Sequence, residues 1–147
     1  KPIELLLRLA KIREDQAMAN ARRATGQVNQ AQGFHKQVLD YAKDYENQIL
    51  EGAKTGTSVA FIQDANAFRE KLLLSSVEIS NQIKGLSMNS EQALKIAMQA
   101  KMRSQGLGKL VAKAHLEARR KQARSELNQM EDNYIARLHG HSGTENA

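Results

Sequence analysis

Few side chains in this sequence have the types and spacing that chemistry requires. His139 and His141 stand close enough to meet one metal ion, but they lie in or beside a polar tail, 140–147, expected to be disordered. The other two histidines, His35 and His115, are far apart in the chain. Asp40, Asp44 and Glu51 recur at helical spacing, which reads as a solvated helix face rather than a pair of carboxylates closing on a substrate. There is no cysteine, hence no thiolate nucleophile, disulfide framework or thiolate metal site. Gly52 and Gly56 lack the Gly-Lys-Ser/Thr ending that cradles a phosphate, and no serine stands in a strand–turn–helix elbow. The residues therefore predict no enzyme, no cofactor and no metal site.

Charge is the remaining chemical asset. The chain carries a formal net charge of +6, and residues 95–124 hold nine Lys or Arg against the single Glu117. Such a run is either a solvated face or a surface for an acidic partner. Lys109, Lys113, Arg119, Arg120, Lys121 and Arg124 could contact phosphates, yet no aromatic residue for base stacking occurs between Phe68 and Tyr134. A basic face meeting an acidic protein is the expectation, and nucleic acid is not.

The elements that must position these groups are helices. Aromatic residues make up only 4% of the chain, too few to fill a thick core, and the single proline is Pro2. Steps of three and four from Ile3 give Leu7, Ala10, Glu14, Ala17, Ala21, Ala24, Val28, Ala31, His35, Val38, Ala42, Tyr45 and Ile49, apolar at all but two positions. A seven-residue repeat held this long predicts a coiled-coil seam, because an isolated 3.6-residue helix drifts off that register. At about 1.5 Å per residue the stretch makes a rod of roughly 70 Å. Alanine dominates its middle, so the helices approach closely but bury little area per residue.

Punctuation follows at Glu51–Ser58, where Gly52 or Gly56 suits a left-handed C-cap and Thr57 or Ser58 an N-cap. The spacing then resumes at Ile62, Ala65, Arg69, Leu72, Ser76, Ile79, Ile83 and Leu86 and runs on through Ser90, Ala97, Ser104, Val111, Ala114 and Ala118. A weak break is expected near Gly85–Ser90, with Asn89 as a cap. The predicted architecture is all-α, a long antiparallel two-helix coiled coil with a short helical tip. A first helix over 3–52 is followed by a turn and tip helix over 57–86, a second helix over 87–139 and the tail 140–147. That layout pairs 3–52 with roughly 87–137, setting His35 near Ser104 and Glu14 near Ser125; one continuous second helix overhanging the first is the alternative. Phe68, Leu72, Ser75 and Ile79 fall on one stripe of the tip helix, and an incompletely covered stripe would serve a partner. No apolar run is long enough for a signal peptide or membrane span.

The run Leu6-Leu7-Arg8-Leu9-Ala10-Lys11-Ile12-Arg13-Glu14 with the alanine-rich heptads after it resembles the flagellar export protein FliJ family. So do Val38-Leu39-Asp40-Tyr41-Ala42-Lys43-Asp44-Tyr45 closing the first helix, the glycine turn, the Phe68/Leu72 stripe and the basic second helix. The resemblance covers nearly the whole chain. It implies a hairpin like the central stalk of rotary ATPases and a non-catalytic part of the flagellar type III export apparatus. Such a protein binds the hexameric export ATPase and promotes its assembly. It also contacts the cytoplasmic domain of the export gate and serves export chaperones. The resemblance places it in the cytoplasm at the cytoplasmic face of the inner membrane, touching the membrane only indirectly. It assigns Arg8, Lys11, Arg13, Arg119, Arg120 and Arg124 to the ATPase ring, and Phe68, Leu72, Ser75 and Ile79 to the gate, with Ile79 standing where the family pattern has a histidine. A stalk protein of a virulence-type secretion system and a generic basic coiled-coil scaffold are the alternative readings.

Overall fold

The computed structural model describes the backbone of residues 1–145 and the side chains through Gly140. Its two helices are α1, Pro2–Thr55, and α2, Val59–Glu145, and no strand occurs among the described residues. Pro2 opens α1, where its missing N–H is one the helix could not have used.

The turn between them is fixed by glycine and hydroxyl chemistry. Gly56 takes a positive φ of 78°, and the amide of Thr57 donates to the Gly52 carbonyl at 2.9 Å, the long bond of a Schellman cap. Gly52 has its own reason to lack a side chain: a Cβ there would lie 3.1 Å from Thr57 Oγ1 and 3.3 Å from Thr57 Cβ. Ser58 then caps α2, its Oγ accepting from the Phe61 amide at 3.3 Å. Of the two candidates expected for each cap, Gly56 and Ser58 fill the roles.

The chain packs as two units. The larger is Ile12–Lys101, in which α1 and the first half of α2 run antiparallel. Its cluster joins Ala17 and Ala21 to Ala97, with Met18, Ala93 and Ala100 against them. Val38, Ala42, Ala65 and Ile79 continue the buried seam towards the turn. Two serines are buried in this seam. Ser90 Oγ lies 3.2 Å from Thr25 Oγ1, and Ser76 Oγ donates to the Leu73 carbonyl at 2.7 Å, so each hydroxyl has a partner without needing water. No large side chain is fully buried among the described residues. Stability is therefore spread over many small contacts, each worth about 0.8 kcal/mol per buried methylene.

The smaller unit is Lys1–Lys11 with the part of α2 from Met102 onward. Here Glu4 pairs with His115 at 3.0 Å, Leu7 reaches the position where Gly108 would carry a Cβ, and Ala10 and Ser104 are buried.

Several sequence expectations change. The break at 84–90 is absent, and so is a separate tip helix over 57–86: α2 is continuous from Val59 to Glu145. An internal glycine costs about 1 kcal/mol relative to alanine, too little to end a helix whose flanking seam positions are both packed. Asn89 is an exposed helical residue, not a cap. The helical state also runs through residues 140–145 of the expected tail; residues 146 and 147 lie outside the described residues.

With no excursion at the turn, the pairing slides by about 24 residues, close to seven helical turns. Thr25 faces Ser90, Tyr45 faces Phe68, and Glu4 faces His115, so the expected pairings of His35 with Ser104 and of Glu14 with Ser125 do not form. In the larger unit the first helix is thus matched to the part of α2 from Val59 to Lys101, and in the smaller unit its first turn lies against His115, with α2 running on past that pair.

Candidate partner-binding surfaces

No residue set in the described structure supports catalysis. No group of three or more His, Asp or Glu side chains converges as a metal site among the described residues. A groove of about 730 Å³ on the side of the larger unit is lined by Gln27, Gln30, Phe34, Ile79 and Leu86 among others, and none of its lining residues is titratable. Proton transfer has no donor or acceptor of adjustable pKa there. What the molecule offers is surface.

The stripe Phe68, Leu72, Ser75 and Ile79 lies along the edge of the hairpin seam in the larger unit. Ile79 is buried in the seam and Leu72 half-buried beside it, while Phe68 and Ser75 are exposed on its border. Phe68 is 46% exposed even though its ring rests on Tyr45, with centroids 4.9 Å apart and planes tilted by 52°. The four side chains therefore do not form one free face; Ile79 supports the border from beneath. The heptad arithmetic places Leu72 and Ile79 at seam positions, so the split is encoded in the sequence. Leu73, Leu74 and Val77 are exposed on other sides of α2 and extend the apolar surface near the turn. Their positions off the seam were the signal for them.

Of the basic residues, Arg8 and Lys11 of the smaller unit are exposed on α1, close in sequence to Leu7, which meets Gly108. Arg119, Arg120 and Arg124 are exposed further along α2, past the Glu4–His115 pair that marks the start of α1. At about 1.5 Å per residue, the 12 or so residues between Gly108 and Arg120 carry that arginine cluster roughly 18 Å along the helix from Leu7. Arg13 is exposed on the larger unit. The structure therefore brings Arg119, Arg120 and Arg124 together on the overhang and keeps Arg8 and Lys11 apart from them, because of the shifted register. His139 is exposed on α2, and His141 lies outside the described side chains.

No described helix is long and apolar enough to cross a membrane. Among models of known protein families, the one described as the flagellar FliJ protein matches residues 1–144 of the chain. No curated protein and no solved structure matches it.

Proposed function

The chain belongs to the FliJ family, a non-catalytic component of flagellar type III protein export, and from that membership we propose that it binds the hexameric export ATPase and promotes ring assembly. The match over residues 1–144 carries this reading. Three features support it: two long helices packed antiparallel, a groove without titratable groups, and an arginine cluster on a stretch of helix that no other described segment covers. Arg119, Arg120 and Arg124 meet acidic groups of the ring, with Arg8, Lys11 and Arg13 making a second set of contacts further along the hairpin.

The border of Phe68, Leu72 and Ser75 docks on the cytoplasmic domain of the export gate, held in place by Ile79 behind it. Export chaperones are further partners and nucleic acid is not. The protein works in the cytoplasm at the cytoplasmic face of the inner membrane and meets the membrane only through these partners.

The test is to mix the protein with the export ATPase of its own organism and measure hexamer formation and ATP turnover. Stimulation that saturates with added protein, and that falls when Arg119, Arg120 and Arg124 become alanine, is the expected result. Absence of stimulation at every ratio would remove the reading.

A further inference from the structure

The overhang of α2 carries an apolar stripe that nothing among the described residues covers. Leu116, Ala123, Leu127, Met130, Tyr134 and Leu138 fall within about 80° of one another at 100° per residue. All six are exposed, Leu127 at 56%, Met130 at 68% and Tyr134 at 65%. This stripe does not continue the hairpin seam. The next four seam positions after Ala118 are Lys121, Ser125, Asn128 and Asp132, all polar, and the new stripe lies on roughly the opposite side of the helix.

The charges around the stripe identify its occupant. Residues 113–124 contain Lys113, Arg119, Arg120, Lys121 and Arg124 against Glu117, a net of +4. Residues 125–138 contain Glu126, Glu131 and Asp132 against Arg137, a net of −2. A parallel pair of such helices sets like charge against like. An antiparallel pair sets the basic half of each copy against the acidic half of the other.

We propose that a second copy of this chain covers the stripe, through an antiparallel coiled coil of the two overhangs. In the register that alternates seam positions, Leu127 packs on Met130 of the second copy and Ala123 on its Tyr134. Arg124 then stands beside Glu131 of the second copy, and the two-fold axis generates the same ion pair again. Arg120 and Arg137 close the ends, where their long stems cover apolar surface and their guanidinium groups reach water. An anionic membrane is a poorer occupant, because the acidic half of the stripe would face it.

The overlap is only about three heptads, an interface at the small end of specific association, so the dimer is weak, with Kd on the order of 10–100 µM. It therefore forms at high concentration of the free chain, whose Arg120 and Arg124 are not engaged by the ring, and is lost on dilution.

Sedimentation equilibrium of the full chain between about 2 and about 500 µM tests this directly. A reversible monomer–dimer equilibrium is expected, with Leu127→Glu raising Kd at least about 10-fold. Arg124→Glu and Glu131→Arg each weaken self-association, and an equimolar mixture of those two variants recovers it, because both cross-copy pairs are then opposite in sign. The chain has no cysteine of its own, so orientation is read by oxidation. Ala123→Cys mixed with Tyr134→Cys gives the mixed disulfide in excess over either symmetric one. Melting curves at about 2 µM that match the parent chain establish that each variant keeps its hairpin. A monomer at every concentration, symmetric disulfides only, or a dimer indifferent to Leu127→Glu would overturn the proposal. So would a monomer that binds phosphatidylglycerol vesicles through Leu127, since a lipid surface would then be the occupant.

Discussion

Truncation after Ala118 separates the two possible registers of the hairpin. Every described side chain from Ala112 to Gly140 is exposed, so removing residues 119–147 uncovers no buried apolar area among the described side chains. The expected change in unfolding free energy is within about 0.5 kcal/mol, the range of surface substitutions. Had α1 paired with 87–137 instead, the same cut would strip the partner from Ile3, Leu7, Ala10 and Ala17. At about 1.5–3 kcal/mol for each large aliphatic side chain and less for each alanine, that loss is about 5 kcal/mol. For a chain of this size 1 kcal/mol moves Tm by about 3–5 °C, so the two registers predict Tm shifts of under about 3 °C and over about 15 °C. The assay is thermal melting followed by circular dichroism at 222 nm, at about 2 µM so that self-association does not contribute. The folded signal should drop by roughly a fifth, the share of helical residues removed, with Tm unchanged. A fall in Tm of more than about 10 °C would refute the register, and with it the exposure of residues 119–138.

Other substitutions probe the cap, the seam and the border near the turn. Gly56→Ala should cost about 1 kcal/mol because its φ is positive, whereas Gly85→Ala, mid-helix with nothing within 4 Å of the added Cβ, should add about 0.5–1 kcal/mol; denaturant midpoints give both signs. His35 is a half-buried polar group at an apolar seam position, so His35→Val should raise Tm by a few degrees. Ala97 is only 1% exposed at the closest part of the seam, and Ala97→Leu should lose about 1–3 kcal/mol by overpacking. Phe68→Ala removes the ring contact with Tyr45, worth about 0.5–1.5 kcal/mol, and should weaken gate binding in a pull-down while helicity stays near that of the parent chain; binding that survives would clear the border of that role.

Much of this was legible in the sequence. The heptads from Ile3 to Ile49 foretell α1, and Gly52, Gly56 and Ser58 mark the turn, because caps depend on local backbone geometry and hydroxyl position. The buried alanines Ala10, Ala17, Ala21, Ala42, Ala65 and Ala97 all stand on the predicted seam. Continuity across Gly85 was harder to read. Local signals there weakly favour a break, and only tertiary packing of the flanking turns decides against it. Residues 59–83 are also apolar on more than one face, which suggests a compact tip. Instead Leu73, Leu74 and Val77 stay exposed.

The register itself had a signal in the pattern, at the far end of α2. A seam stays apolar only while a partner helix lies against it. Leu107, Val111, Ala114 and Ala118 carry the spacing, and Lys121, Ser125, Asn128 and Asp132 then replace apolar residues at the next four positions, before Ile135. The change falls just past Val111 and His115, where α1 begins in the folded hairpin. A second helix paired out to residue 137 would have carried four polar side chains in a row at its seam, so the polar switch argues against that pairing. The same segment has apolar residues in a different phase, from Leu116 to Leu138. One helix thus carries two seams of different phase, the first for its own chain and the second for something else. The self-complementary charge order of the second points to another copy of the same helix.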